Sequence, residues 1–248
     1  MEHNLKSLSG FAIGATDGEI GKVEALYFDD TSWQVRYLVV NTGGWLSGRK
    51  VLISPAALGQ ADIANQVIPS RLSQEQVELS PDIDTEKTVS RQQEMALHSH
   101  YAWPFYGAAG EGLYGGMGMT GMIESRVPLE DVIAEKHQMD EAAESHLRST
   151  DEILGYQIHA TDGLIGEVKD FIFDDSDWTI RYLIVDTGNW FSEKKVVLSP
   201  AWISEISWEK SAVNVHISVD QVKHCPAYDA DQPVPLDYRR KLDEHYGK

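Results

Sequence analysis

The sequence contains one cysteine, Cys225, among its 248 residues. A single cysteine cannot close a disulfide within the chain, and dithiol redox chemistry needs two thiols. A structural zinc site with several cysteine ligands is excluded for the same reason. We therefore expect no cofactor that depends on a set of cysteines.

Basic side chains are scarce as well. The 21 lysines and arginines stand against 39 aspartates and glutamates, which gives a formal net charge of −18. A field of that sign opposes binding to phosphate backbones and to anionic lipid. We therefore expect no nucleic-acid partner and no direct insertion of this acidic protein into a membrane.

Long apolar runs are also missing. The longest, such as residues 37–40 and 182–185, have the length of a strand, and about 20 residues are needed for a helix that crosses a bilayer. The first residues show no basic segment followed by an apolar one, so that we expect no secretory signal. These features predict a cytoplasmic protein.

The sequence does contain an internal repeat. Residues 10–55 align with residues 155–200 without a gap, and 25 of the 46 aligned positions are identical. The alignment continues at the same offset through a tail in each copy. A repeat of this length predicts two similar structural units in one chain. We assign residues 1–106 to unit 1 and residues 151–248 to unit 2.

Each unit shows the pattern of short strands separated by tight turns. Asp17-Gly18 in unit 1 and Asp162-Gly163 in unit 2 lie between apolar segments, and Asp-Gly tolerates the positive φ angles that hairpins require. We assign structural roles to these four residues. Five or six short antiparallel strands with little helix predict a small β-barrel, since closure removes exposed sheet edges.

Residues 107–150 have no counterpart in the repeat. They begin with a stretch rich in glycine and methionine, which predicts a loop. From Pro128 onward, apolar residues recur at helical spacing among many acidic ones, which predicts an acidic amphipathic helix. We therefore predict a mainly β fold, in which two small barrels with short helices are joined by a loop and a helix.

Both units carry the same motifs in the same order: Ala-Thr-Asp-Gly-x-Ile-Gly-x-Val, Phe-Asp-Asp, Trp-x-x-Arg-Tyr-Leu, Thr-Gly-x-Trp and Ser-Pro. With this set the chain resembles the PRC-barrel family over nearly everything except the link at 107–150. The resemblance implies the compact barrel found in the photosynthetic reaction centre H subunit and at the C-terminal end of a ribosome maturation factor. The chain is most similar to the stand-alone bacterial members.

The resemblance also implies a function. In those two proteins the barrel looks like a protein contact module, so that we expect a non-catalytic interaction or scaffolding role with a protein partner and no cofactor. By analogy with the reaction centre, peripheral contact with a membrane protein complex is a further expectation. Two similar units predict a pseudo-two-fold pair within the chain, and a homodimer of the whole chain stays open.

A tryptophan follows the Thr-Gly turn of each unit, with an apolar neighbour and a nearby basic residue. Aromatic side chains at loop tips commonly anchor interfaces, which makes these residues candidates for partner binding. Two alternatives stay open: each tryptophan caps its own barrel, or it packs against the other unit. The candidates are Trp45, Leu46, Arg49, Trp190, Phe191 and Lys194.

Acidic clusters occupy the same place in both units. Asp29-Asp30, and Asp174-Asp175 with Asp177, would supply the oxygen ligands that calcium prefers. Their spacing is not that of an EF-hand, however, and both clusters fall where a hairpin turn is expected. We therefore assign structural roles to Asp30 and Asp175, and keep metal binding by the five aspartates as a weaker alternative.

Arg36 and Arg181 lie among apolar strand residues. A guanidinium in such a place usually reaches a carboxylate while its aliphatic stem packs, so that we assign both arginines structural roles. The expected partners are Asp29 or Asp30 for Arg36, and Asp174 or Asp175 for Arg181. The alternative function is a small-ligand or divalent-metal-binding protein or enzyme that uses the cleft between the barrels or the Asp turns.

Overall fold

The structure is a computed structural model that describes residues 2–82, 89, 91–103, 147–188, 194–228 and 236–246. Most of the predicted link, residues 107–146, lies outside the described residues. Within the described ranges, no helix combines the length and apolar character needed to cross a membrane.

The described elements follow the same order in both units, with one exception. Unit 1 comprises β1 (Glu2–Asn4), α1 (Leu5–Leu8), β2 (Ala12–Gly14), β3 (Glu19–Asp29), β4 (Val35–Asn41), β5 (Lys50–Ile53), β6 (Val67–Pro69), α2 (Gln74–Glu78) and α3 (Arg91–Tyr101). Unit 2 comprises β7 (Leu147–Ser149), α4 (Thr150–Ile153), β8 (Gln157–Ala160), β9 (Gly163–Asp174), β10 (Thr179–Asp186), β11 (Lys195–Leu198), β12 (Ile203–Ser207), β13 (Ala212–Val215), α5 (Val219–His224) and α6 (Leu236–Tyr246). The exception is β12, which has no strand counterpart in unit 1; β7 and α4, the first elements of unit 2, begin before residue 151.

The predicted mainly β fold with two similar units is confirmed. The sheet of unit 1 has the strand order β5-β4-β3-β2-β6, and the sheet of unit 2 has the order β11-β10-β9-β8-β13-β12. The antiparallel pairs are joined in each unit by one parallel pair, β2 with β6 and β8 with β13. Among the described strands, no ladder connects the two ends of either path.

One glycine in each unit allows the long central strand to approach its neighbour. A Cβ atom on Gly21 would lie 2.1 Å from the carbonyl oxygen of Asn41, and a Cβ on Gly166 would lie 2.1 Å from that of Asp186. Real Cβ atoms do not come so close, so that only glycine fits there. This contact explains the glycine in the shared Ile-Gly-x-Val motif.

The first strand of each unit pairs with the other unit. β1 lies antiparallel to β9, with His3 opposite Phe173, and β7 lies antiparallel to β3, with Arg148 opposite Phe28. The two ladders have identical registers under the repeat, so that the units are related by a pseudo-two-fold axis. We call residues 2–8 and 147–153 the exchanged arms. The sequence predicts the end of a helix at 147–150, whereas the structure has β7 and the start of α4 there.

A tryptophan from each unit continues this contact. Trp33 and Trp178 have φ angles of 60° and 54°, which is a left-handed conformation that bulky residues rarely adopt. Their carbonyl oxygens accept hydrogen bonds across the axis, from Ile180 N–H at 2.8 Å and from Val35 N–H at 2.7 Å. The strained turns are therefore held in place by the other unit.

The core extends through this junction. Phe28 is fully buried; its ring stacks on Trp33 with centroids 5.1 Å apart and meets Phe171 of the other unit at 6.3 Å. A strand with one solvent face shows alternating apolar and polar residues. Residues 25–28 are instead all apolar and all buried, because both faces of this part of β3 are covered.

The exchanged ladders end differently in the two units. Beyond β7, the hydroxyl of Thr150 accepts the N–H of Leu26 at 3.1 Å and donates to the carbonyl of Leu26 at 3.2 Å. Beyond β1, Asp170 takes this place: its Oδ1 accepts the N–H of Phe171 at 2.8 Å and that of Lys6 at 3.2 Å. In each case a side chain satisfies buried backbone groups where pairing stops.

Candidate functional site

Trp45 lies on a short 3-10 turn, Gly43–Leu46, directly after β4. Its indole N–H donates to the carbonyl oxygen of Ile20 at 2.7 Å, while its side chain keeps an exposed fraction of 38%. The hydrogen bond ties the ring to its own unit, and the remaining ring surface faces solvent. Both the capping interpretation and the interaction interpretation have a feature of this geometry in their favour.

Leu79, directly after α2, is the most exposed large apolar residue among the described ones, with an exposed fraction of 69%. Arg49, from the loop that carries Trp45, donates to the carbonyl of Glu78 at 3.2 Å and to that of Ser80 at 2.7 Å. This bridge brings the Trp45 loop and Leu79 to the same end of unit 1. We call Trp45, the half-buried Leu46 and Leu79 the Trp45 surface.

Arg49 itself is engaged within the chain. Besides Ser80, one of its terminal nitrogens donates to the carbonyl of Pro81 at 2.7 Å. Lys194, its counterpart in unit 2, donates to the carbonyls of Lys223 and Cys225. Both basic residues therefore fasten the segment after a helix to the preceding loop. Trp190 and Phe191 lie outside the described residues, and their predicted role stays a prediction.

The sequence gives little sign of Leu79. It stands between Glu78 and Ser80, and its counterpart in unit 2 is the exposed His224, so that the repeat does not select it. The signal that would have found it is an apolar residue at a helix end where the other copy has a polar one. The Trp45 surface of unit 1 thus has no exact equivalent in unit 2.

The aspartates of the Asp-Gly turns accept hydrogen bonds from the first residues of the short helices α2 and α5. Asp17 accepts the N–H of Gln74 at 2.8 Å, and Asp162 accepts that of Val219 at 2.7 Å. Ser73 and Ser218 form capping boxes at the same helix ends, which satisfy N–H groups that a helix leaves unpaired. Gly18 and Gly163 leave room here, since an added Cβ would lie 3.1 Å from Gln74 and 3.3 Å from Val219.

The first aspartate of each acidic cluster organises its turn. Asp29 Oδ1 accepts the N–H of Ser32 at 2.7 Å and its hydroxyl at 2.8 Å, and Asp174 Oδ1 binds Ser176 in a similar way. Burial favours a higher pKa for Asp29, but the hydrogen bonds from Ser32 and the charge of Arg36 outweigh it, so that its pKa is lowered.

The second aspartate of each cluster reaches the other unit. Asp30 Oδ2 lies 3.4 Å from Nε of Arg148, and Asp175 Oδ2 lies 3.0 Å from Nε2 of His3. The two pairs occupy equivalent positions about the pseudo-two-fold axis. Within the described residues, no group of three or more His, Cys, Asp or Glu side chains is placed to hold a metal ion.

The two arginines assigned to the fold contact aspartates of their own hairpins. Arg36 Nη2 lies 3.4 Å from Oδ2 of Asp29, as the sequence predicts. Arg181 binds Asp177, whereas the sequence favours Asp174 or Asp175 as its partner. The third aspartate of unit 2, which unit 1 lacks, therefore serves the arginine of its own hairpin.

A buried histidine fastens α3 to the sheet of unit 1. Nε2 of His98 lies 2.8 Å from the hydroxyl of Tyr37, which donates to Glu94 at 3.1 Å. His98 and Tyr37 are both almost fully buried, and Trp103 packs edge-on against the imidazole. This network holds the helix in place through residues of its own unit.

Comparison with known proteins agrees with this architecture. The model of the PRC-barrel domain matches two segments, residues 2–69 and 147–222, which together span more than half of the chain and include both exchanged arms. A search of curated proteins found no match. The two matches and the repeated structure show that this chain belongs to the PRC-barrel family as a tandem duplication of its domain.

Proposed function

We propose that this protein is a non-catalytic interaction module that binds a partner protein through the Trp45 surface. The observation that carries the proposal is the pair of exposed apolar side chains, Trp45 and Leu79, whose segments are joined by Arg49. Contiguous exposed apolar surface on a folded protein commonly marks an interface. Tryptophan is the residue type most enriched among those that dominate binding energies.

The surface is already fixed before any partner binds. The indole of Trp45 is held by Ile20, and Arg49 joins the Trp45 loop to the segment that carries Leu79. Side chains that are ordered in the free protein lose less conformational entropy on association. An ordered Trp45 side chain is therefore more consistent with a binding surface than with a loop that merely faces solvent.

The charge of the chain narrows the partner class. With a net charge of −18, long-range attraction favours a protein with a basic surface and opposes nucleic acid and anionic lipid. The proposal also includes a cytoplasmic location. By analogy with the reaction-centre subunit, it includes contact with membrane complexes through protein rather than lipid. A homodimer of the chain is an alternative use of the same surface.

The test is affinity capture from a lysate of the source organism with the wild type and three variants. Leu79→Ser removes the exposed apolar side chain and leaves the barrel core intact, so that we expect the partner captured by the wild type to be lost. Ile63→Ser is the matched control, because Ile63 has an exposed fraction of 48% and lies outside the Trp45 surface.

The partner bound by the wild type should remain with Ile63→Ser and disappear with Leu79→Ser and Trp45→Ala. Circular dichroism and size-exclusion chromatography of the three variants establish that each one is folded and report any homodimer. Identical sets of captured proteins for the wild type and Leu79→Ser would contradict the proposal.

A further inference from the structure

The outer edge of β12 has no backbone partner among the described residues. β6 is bonded on its outer side by residues 59–62, and β11 receives the N–H of Tyr228 on the carbonyl of Lys195 at 2.9 Å. β12 pairs with β13 on one side, and within the described ranges no segment pairs with residues 204–207 on the other. Such an edge offers backbone donors and acceptors to an added strand.

A cleft of about 390 Å³ adjoins this edge and lies between the two units. One wall is formed by residues 200, 201, 203–206 and 208, most of them in or next to β12, and the other by residues 30, 31 and 33 in the turn of unit 1. The volume lies within the range of about 300 to 1,000 Å³ that is typical of binding pockets. Because side chains of a strand alternate between its two faces, a strand added to β12 would direct every second side chain toward the cleft.

The walls of the cleft favour a positively charged side chain. Glu205 is exposed on β12, and its carboxylate contacts the amide of Asn214 at 3.4 Å, which leaves acceptor positions open to solvent. The guanidinium of Arg148 already lies over the ring of Trp208, 4.2 Å from its centre, and pairs with Asp30. This packing shows that aromatic and carboxylate groups here accommodate a guanidinium. The net charge of the chain also attracts a basic partner.

The equivalent region of unit 1 lacks these features. Gln60 replaces Glu205 and Ile63 replaces Trp208, whereas the backbone of residues 58–62 pairs with β6 as β12 pairs with β13. The charged and aromatic side chains of this site therefore occur on one side of the pseudo-two-fold axis and not on the other.

The geometry points to β12 and its cleft as a binding site for an extended, basic segment of a partner protein, which adds to the sheet as a further strand. Backbone hydrogen bonds to residues 204–207 hold the segment. A lysine or arginine side chain enters the cleft and pairs with Glu205. The site is separate from the Trp45 surface.

The test uses fluorescence polarisation with a labelled Val-Arg-Thr-Arg-Val peptide and the full chain. We expect saturable binding, and no binding of the matched Val-Glu-Thr-Glu-Val peptide. Glu205→Gln, which introduces the residue of the other unit, should weaken binding about tenfold, since a hydrogen bond to a charged group is lost. Gln60→Glu is the control and should leave the affinity unchanged.

Two methylated peptides test the strand itself. In an added strand, alternate N–H groups face β12 and the remainder face solvent, so that N-methylation of one alternate set should abolish binding and methylation of the other should not. Equal binding of both methylated peptides, an unchanged affinity of Glu205→Gln, or no saturable binding would overturn the inference. Leu79→Ser should bind the peptide normally, so that failure here and failure of the Trp45 surface are distinguishable.

Discussion

At the ends of the exchanged ladders, the two units meet the same requirement with different chemistry. A buried backbone N–H needs an acceptor at Leu26 in unit 1 and at Phe171 in unit 2. Unit 1 receives the hydroxyl of Thr150 from the arm of the other unit, whereas unit 2 uses Asp170 from its own strand. The fold specifies that an acceptor be present and leaves its identity to each copy.

The same distinction separates conserved positions of the repeat from varied ones. Residues that fix the backbone are identical in both units, such as the left-handed Trp33 and Trp178 and the turn-forming Asp29 and Asp174. Differences occur in the exchanged arms and on the surface, such as Arg148 and His3, which pair with the identical Asp30 and Asp175, or Leu79 and His224. The two units therefore share one fold but differ in the side chains around it. Four sets of variants can test this difference.

The largest effect is expected from removing a shared core ring. Phe28→Ala and Phe173→Ala each delete a fully buried side chain that stacks on the tryptophan of its own hairpin. We expect each variant to lower the free energy of unfolding by about 3–5 kcal/mol, measured by urea denaturation followed by circular dichroism. Similar losses in the two variants would support the equivalence of the units, and a single unfolding transition would show that the units unfold together. Two separate transitions would contradict an interlocked pair of units.

A smaller loss is expected at Thr150, the acceptor of unit 1. Thr150→Val keeps the shape of the side chain but leaves the buried N–H and carbonyl of Leu26 without a partner. We expect the free energy of unfolding to fall by about 2 kcal/mol. Thr150→Ser retains the hydroxyl and should cost less. Equal stability of Thr150→Val and Thr150→Ser would show that the hydroxyl is dispensable.

Replacing Asp170, the acceptor of unit 2, should raise the stability of the protein, whereas replacing Thr150 should lower it. Burial raises the pKa of this carboxyl, although the N–H groups of Phe171 and Lys6 act in the opposite direction. An acid whose pKa is raised on folding favours the folded state while it is protonated. That contribution is present below its unfolded-state pKa and is lost as the pH rises through the raised pKa.

Asp170→Asn keeps the accepting oxygen and carries no charge. The variant should therefore gain stability relative to the wild type as the pH rises from the unfolded-state pKa through the raised pKa, and keep this gain at higher pH, whereas the two should be equally stable in strong acid. Thermal unfolding at a series of pH values measures the difference. A constant difference at all pH values would exclude the titration of Asp170 as its cause.

The smallest effects are expected from the two ion pairs across the axis. Arg148 keeps its charge at every accessible pH, so that Asp30→Asn should lower the free energy of unfolding by about 1 kcal/mol. Measured at pH 8, Asp175→Asn should cost less, because an asparagine oxygen can still accept a hydrogen bond from an imidazole N–H of His3. If Asp175→Asn lowered the free energy of unfolding more than Asp30→Asn at that pH, this prediction would be wrong.

Much of the fold follows from local signals in the sequence. The apolar segments that flank the Asp-Gly turns form β2 and β3 in unit 1 and β8 and β9 in unit 2, as the pattern of strands and turns predicts. These elements combine β-branched residues with turn residues that need particular φ angles. The exchange of β1 and β7 could not be predicted this way, because each is a three-residue strand whose partner lies in the other unit.

The candidate site was predictable to a smaller extent. Trp45 is visible in the sequence as an aromatic residue after a turn, whereas the exposure of Leu79 depends on how α2 docks. Arg49 resembles an interaction residue in sequence, but its hydrogen bonds go to backbone carbonyls about 30 positions away. Sequence patterns indicate which residues are charged and do not indicate which distant carbonyls will surround them.

The exchanged arms have a consequence for the covalent link between the units. Each unit contributes a strand that the sheet of the other unit contains, so that the two halves are held together by β1 on β9 and by β7 on β3. A protease cut between residues 103 and 147 would produce two fragments, each still paired with the arm of the other. The nicked chain would migrate as two bands under denaturing conditions and as one particle in native buffer, so that this protein is a natural candidate for fragment complementation.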